Sequence, residues 1–352
     1  MRRRVATLIV ATTLLALAAC GGGEADGPVG RVQAQQMPAA STAVETGRAL
    51  DLSIAGDGQF VWRTDGGQTV YSREASLGLS AAHHLVNRSG ARLMGTPPGA
   101  GDAAALAPLE VPERMPPRVT TRVSMEFNLD SRLSVTDFGF TPRIDLSNAR
   151  TYNNATSVCV FDAKGQPVAL TLYVQKFADD QWNVYFTANG KTVAGTAEDP
   201  QPVATVTFRA DGSIPSPASI TLDIPVTVNQ YGAQTLPIAG LVIDLSRATQ
   251  YGSPFSVTDL AQDGLATGSL VSLQVESGGG LTAEYSNGQR IDRGRIMLAR
   301  FAGTERFMPT AQGWQQVSGA APVITAPGLG LNGTLRTGAV ETDAQLRSQT
   351  GH

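Results

Sequence analysis

The chain has little charge, few aromatics and almost no cysteine. Of its 352 residues, 16% are Asp, Glu, Lys or Arg, 6% are Phe, Trp or Tyr, and two are Cys. Two cysteines cannot build a disulfide framework. A formal net charge of −3, with no run of like charge after Arg4, excludes electrostatic capture of nucleic acid, which needs a dense basic face. Histidine is scarce too. His83 and His84 are neighbours, and on a strand adjacent side chains face opposite ways, so they cannot easily share a metal and read as turn or surface residues. His352 ends the chain. No Gly-x-Ser-x-Gly elbow appears, and the Ser-rich turns have no base near them in sequence. Gly278-Gly279-Gly280 lies between two strand-like runs, which makes it a hairpin connection and not a phosphate loop. Asp179-Asp180 lacks the spaced ligands of a calcium loop. The sequence therefore assigns no catalytic, cofactor-binding or metal-ligating residue, and no cofactor is expected.

What the chain does have is 38 Gly, 20 Pro and an excess of Thr, Ser and Ala, a mixture that favours short strands and turns over helices. Val271, Leu273 and Val275 alternate with polar residues, as do Leu281, Ala283 and Tyr285, and Asn287-Gly288 then offers two residues that tolerate positive φ at a tight hairpin turn. The chain climbs back through Ile296, Leu298 and Phe301. Further upstream Leu50, Leu52 and Ile54 alternate with polar residues before a Gly56-Asp57-Gly58 turn and the apolar Phe60-Val61-Trp62. Val168, Leu170, Leu172 and Val174 share one face of a long strand that is followed by Trp182, Val184 and Phe186. Trp62, Trp182 and Trp314 read as core, with a carbohydrate or partner platform as the alternative. Cys159, inside the strand-like run Ser157–Phe161, is expected to be a buried, inert thiol.

The first residues have the three parts of an export signal: Arg2-Arg3-Arg4, an apolar run from Val5 to Leu17, and small residues. That run is too short for a comfortable membrane span of about 20 residues. Leu17-Ala18-Ala19-Cys20 resembles the lipobox of bacterial lipoproteins, which implies lipidation at Cys20; an ordinary cleaved signal containing a cysteine is the alternative. Gly21 in place of Asp resembles lipoproteins sent on to the outer membrane. Residues 21–47 are rich in Gly, Ala, Gln and Pro, with apolar residues too scattered for a stripe, and read as a tether.

Gln262-Asp263-Gly264, then Gly268-x-Leu270, Tyr285-Ser286-Asn287-Gly288-Gln289 and Ile296-Met297-Leu298-Ala299-Arg300-Phe301 occur in an order that resembles the outer domains of bacterial flagellar hook proteins. The stretch Ala49–Leu79, with its Gly-Asp-Gly turn and its Tyr71-Ser72-Arg73 step, resembles the first β segment of the hook and rod family, and Val86–Gly95 resembles its end. Gln59 departs from the family's usual aromatic, and His83 from its usual turn glycine. Asn128-Leu129-Asp130 resembles the step into the next domain, Thr151–Phe186 the inserted outer domain, and Trp314 through Gly333 the return. The six prolines from Pro97 to Pro117 read as an extended connector.

The resemblance implies an all-β fold: a discontinuous hook-type β domain with a second β-barrel-like domain inserted. The expected organisation is signal peptide 1–19, lipidated Cys20 and tether to 46, first domain 47–143 with 260–341, inserted domain 144–259, and a disordered tail 342–352. Hook and rod proteins continue at both ends into helices that build an inner tube. Here a lipoprotein signal and tether stand at one end, and Glu341-Thr342-Asp343 followed by nine residues at the other, so the terminal polymerisation helices are expected to be lacking. The expected function is non-enzymatic: a lipid-tethered structural component or paralogue of the flagellar hook or basal body. Its partners would be hook or basal-body proteins and a membrane, without nucleic acid, and it would be monomeric when solubilised. The alternative is an envelope lipoprotein that reuses the fold as a binding or surface module.

Overall fold

The computed structural model describes residues 34–37, 43–101, 104–136 and 144–341. Among them there is no helix, and the strands group around two large apolar cores.

The first core gathers Leu52, Phe60, Trp62, Val70, Leu77, Leu93, Leu281, Tyr285, Ile296 and Leu298, contributed by both the early and the late parts of the chain. Strand Gln59–Arg63 is the centre of that assembly, paired with Thr69–Ser72, Arg92–Thr96 and Leu298–Arg300. The meander Gly268–Val275, Gly280–Tyr285, Arg290–Ile296 continues the same 14-stranded sheet. A smaller cluster of Val61, Tyr71, Met94, Ala299, Phe307 and Trp314 covers the opposite face. The proline-rich stretch is more than a connector. Ala107–Pro108 pairs with Arg92–Thr96, Arg114–Met115 pairs with Gly268–Val275, and Leu109 and Val111 are buried in the core.

The second core lies between two five-stranded sheets. One sheet contributes the predicted long strand, Pro167–Ala178, whose Val168, Leu170, Leu172 and Val174 are buried on one face, and its partner Gln181–Ala188, with Trp182, Val184 and Phe186. The other contributes Val123, Met125, Phe127 and Leu129 from Arg122–Asp130, Leu241 and Ile243 from Ile238–Asp244, and Ile220, Leu222 and Ile224 from Ser219–Ile224. Period-two alternation over these runs is what places every second side chain between the sheets.

Several local readings change. Asn287-Gly288 does connect two strands, but only Gly288 takes positive φ, at 78°. Asn287 spends its side chain instead, donating to Ala266 O at 2.9 Å and accepting from Gln289 N at 3.2 Å. The turn with positive φ at both centres is Asn189-Gly190, at 49° and 79°. Cys159 is exposed, because the outward-facing residues of the edge strand Asn154–Phe161 are left uncovered. Its surroundings still desolvate it in part and hold the thiol above its ordinary pKa, so thiolate is scarce at neutral pH. Trp62, Trp182 and Trp314 are fully buried, as core residues. Within the expected tether, Ala43–Glu45 pairs with Ala339–Glu341, and Gln35 exchanges two backbone hydrogen bonds of 2.8 Å with Phe307. Cys20 and the tail 342–352 lie outside the described residues.

His83 stands where the hook resemblance places a turn glycine, and its φ of 63° is the left-handed value that such a position demands. The turn holds it there: His83 N donates to Ser80 O at 2.8 Å and Val111 N donates to His83 O at 2.7 Å. His83→Gly is expected to be neutral or mildly stabilising in chemical denaturation, whereas His83→Val, β-branched in that conformation, loses about 1–2 kcal/mol.

Candidate functional site

Distant segments of the chain are locked together by side-chain contacts. Two such places stand out, and each contains motifs read from the sequence.

The first is the terminal junction. Tyr71, Ser72 and Arg73 each take a separate task. The Tyr71 ring meets Phe301 edge-on at 4.9 Å, and Phe301 meets Phe307 likewise. Ser72 Oγ accepts from Trp62 Nε1 at 3.1 Å. Arg73, 5% exposed, makes a two-pronged contact with Glu341, 3% exposed: Nε to Oε2 at 2.6 Å and Nη2 to Oε1 at 2.7 Å. Its remaining donors reach Gly58 O at 2.8 Å and Ile54 O at 2.7 Å, and Ile54 N donates to Glu341 Oε1 at 3.3 Å. A buried ion pair is tolerated only when its donors and lone pairs are satisfied in this way. Glu341 sits on the strand that pairs with Ala43–Glu45, so the first and last described strands meet over the pair. Beside it lies a cleft of about 310 Å³ lined by Ala43, Ser53, Gly56, Asp57, Arg336 and Glu341. A second cleft, of about 330 Å³, has Met37, Gln59, Phe301, Glu305 and Phe307 in its walls.

The second is the hinge where the chain passes between the two cores. The outgoing and returning segments run side by side, with Arg118 and Leu265 exchanging backbone bonds of 2.9 and 2.8 Å. Gln262-Asp263-Gly264 ties them together. Gln262 Oε1 accepts from the buried Thr120 hydroxyl at 3.0 Å and from Gly264 N at 2.6 Å. Asp263 accepts from Thr121 N at 2.8 Å, Thr121 Oγ1 at 2.6 Å and Arg122 N at 3.0 Å. Gly264 packs directly on Thr120, where a Cβ would lie 2.1 Å from the hydroxyl, so no larger residue fits. Thr120 in turn bonds both ways with Phe161, at 2.9 and 2.8 Å, the last residue of strand Asn154–Phe161. The turn after that strand is organised by buried Asp162, which accepts from Lys164 N, Gln166 N and Leu236 N. Gly165, with φ 74°, presses this turn against Pro117 and Thr267. One hairpin tip of the second core is thus seated on both connecting segments.

Burial pushes the Asp263 carboxyl up, but the bonds from Thr121 and Arg122 outweigh it and hold the carboxyl below its ordinary value. Asp244, bonded first by Ser246 and then by Arg122, and Asp130, bonded by Arg132, are both held down to about 2.

The other candidates separate. His84 Nε2 lies 3.3 Å from Glu110 Oε1, while His83 is exposed in its turn. Gly278-Gly279-Gly280 closes a hairpin, with Gly279 N donating to Glu276 O. Among the described residues no three or more His, Cys, Asp or Glu side chains are grouped to hold a metal ion. The sequence motifs did not point to Glu341 or Thr120 as lock residues, since their partners are far off in the chain.

The described body is all-β, with side chains that lock distant segments and first and last described strands that meet over one ion pair, an arrangement of a structural kind. Residues 128–265 match the family described as the flagellar basal body protein FlaE D2 domain. The chain is 32% identical over 314 residues to the flagellar hook protein FlgE of Escherichia coli K12, covering 85% of this chain and 74% of that protein. Identity to the Salmonella typhimurium LT2 FlgE is 32% over 309 residues, with the same coverage. The Brucella abortus FlgE is 28% identical over 284 residues, 76% of this chain and 64% of that one. In fold, the chain is similar to the crystal structure of Helicobacter pylori flagellar hook protein FlgE2, with TM-score 0.56 and 13% identity, over 85% of this chain and all of the other. The chain belongs to the flagellar hook protein family, and it is a hook-type structural protein.

Two expectations follow. Glu341→Ala leaves the Arg73 guanidinium buried without its counter-ion and is expected to cost about 3–5 kcal/mol in denaturant unfolding, while replacing both residues by apolar ones recovers most of that loss. The Asp263 carboxylate has a folded pKa below its unfolded value, so its contribution is present above about pH 4 and is lost as pH falls through the lowered pKa. Asp263→Asn is therefore expected to destabilise by about 2 kcal/mol at pH 7, with the gap to wild type narrowing as pH falls through the lowered pKa.

Proposed function

We propose that this hook-type structural protein is held to the cell envelope by a lipid on Cys20. The observation that carries the reading is Leu17-Ala18-Ala19-Cys20 placed directly after a basic and apolar export signal, in a chain whose fold belongs to the hook family. The protein would leave the cytoplasm through the general secretion pathway, be cleaved before Cys20, and reside at the outer membrane, held there by the lipid. In this reading the first core, up to the Arg118–Leu265 crossing, belongs to the anchored domain, and the second core, which includes strand Arg122–Asp130, projects from it. It acts without catalysis, through contacts with hook or basal-body proteins, and behaves as a monomer in detergent. The relatives named above favour this over an envelope module unrelated to flagella.

Labelled palmitate is expected to be incorporated into the wild-type protein and not into Cys20→Ser, and globomycin should leave a longer precursor. Hook–basal bodies purified from the same cells should contain the lipidated form. An unlabelled wild-type chain overturns the anchor; a labelled chain absent from hook–basal bodies overturns the flagellar placement.

A further inference from the structure

Loop 326–333, between strands Val323–Thr325 and Thr334–Thr337, displays two leucines to solvent: Leu329 is 47% and Leu331 69% exposed. Val323, on the strand leading in, is 56% exposed. The loop is not slack. Gly328 N bonds Gly333 O at 2.9 Å, Gly333 N bonds Asp57 O at 2.7 Å, and Asn332, 8% exposed, donates to Leu298 O at 3.1 Å and Thr325 Oγ1 at 2.8 Å. With the backbone pinned, the leucines cannot fold back to bury themselves. Pre-ordered apolar side chains at the tip of a rigid loop are suited to entering another apolar phase.

Its place in the fold indicates which phase. Asp57 and Asn332 form a bridge and Gly56 lies against Gly333, so the loop adjoins the turn that, with Ala43 and Glu341, lines the cleft at the terminal junction. Arg336, exposed, lines the same cleft and adds a cation to the end of the fold that the loop adjoins. This is the end at which the chain arrives from Cys20. Gln35 is bonded to Phe307, Gln36 Nε2 donates to Gly303 O at 3.0 Å, and Met37 packs against the cluster around Trp314. Only residues 21–33 separate Cys20 from that docked segment, and covalent geometry limits them to about 45 Å at full extension.

We propose that loop 326–333 is a membrane-contacting loop: Leu329 and Leu331 enter the headgroup region of the bilayer that holds the Cys20 lipid, and Arg336 meets its phosphates. The assignment rests on the lipid-anchor reading. A second, weak attachment of this kind adds to the first because the tether keeps the loop at high local concentration. It would also fix which end of the protein faces the membrane.

The test tethers the mature chain artificially, so that it does not depend on lipidation in the cell. In a Cys159→Ser background, the Cys20 thiol is coupled to a maleimide lipid in phosphatidylethanolamine and phosphatidylglycerol vesicles. Leu331→Trp reports on the loop, since Trp62, Trp182 and Trp314 are fully buried. Tyr231→Trp, at a site 74% exposed on the second core, is the control. Brominated acyl chains should quench the Leu331→Trp reporter several-fold more than the control and shift its emission to the blue. The untethered Leu329→Ser, Leu331→Ser double variant should lose about tenfold in vesicle partitioning relative to the untethered parent. Equal quenching of reporter and control overturns the proposal. So does a blue shift that needs no vesicles and grows with protein concentration, which would assign the loop to contact with a second copy. Palmitate labelling reports separately on the anchor, so failure of either reading can be told apart.

Discussion

The fold closes on one buried ion pair. Arg73 and Glu341 are 268 positions apart, yet their two-pronged contact joins the turn after the second central strand to the last described strand. Because every guanidinium nitrogen is engaged by Glu341, Gly58 O or Ile54 O, the same side chain also fixes the turn that carries the chain from Asp51–Ala55 in one sheet to Gln59–Arg63 in another. Apolar residues of similar volume could fill this space at no loss of stability. A guanidinium with fixed donor directions does something a methyl cluster cannot: it accepts only one register for the strand that brings Glu341. That strand in turn sets the place of Ala43–Glu45, and so the direction from which the chain enters the fold.

The hinge follows the same logic with hydrogen bonds in place of an ion pair. An inserted body joined by two segments is free to swing unless those segments are tied to each other and to the insert. Gln262 and Asp263 do the first through Thr120, Thr121 and Arg122, and the Thr120–Phe161 bonds with the Gly165 turn do the second. These are short polar contacts in a narrow seam, where a large apolar interface would need more surface than the seam offers. A lock of hydrogen bonds is stiff in one geometry and weak once displaced by an ångström, since hydrogen bonds fall off steeply with distance and angle.

Much of this was legible in the sequence. The alternation from Val168 to Val174 predicts the long strand, and the motifs that carry the family resemblance, Tyr71-Ser72-Arg73 and Gln262-Asp263-Gly264, prove to supply locking side chains, a role that their pattern alone does not state. What escaped depends on information that local pattern does not carry. Gln35 pairs with Phe307 through backbone groups, which any residue possesses, so a polar stretch read as free chain is laid along a strand. Cys159 lies on an alternating strand, but which face of an edge strand is covered is decided by the neighbouring sheet. Asn287 carries a turn signal, yet its amide is spent on Ala266 O, a partner 21 positions upstream that no dipeptide rule contains.

The docked segment changes how an anchor at one end acts on the body. If residues 34–37 and 43–45 were unattached, a pull from the N-terminus would reach the fold at Leu50 and draw strand Asp51–Ala55 from between Thr334–Thr337 and Ala75–Ser76. As built, the pull first meets the Gln35–Phe307 bonds and the packed Met37, then the antiparallel pair Ala43–Glu45 with Ala339–Glu341, beneath which lies the Arg73–Glu341 contact. The weakest attachment is outermost and the best satisfied is innermost. Force applied at the terminus is therefore taken up in stages, and the central strand Gln59–Arg63, on which the 14-stranded sheet is assembled, is the last to receive it.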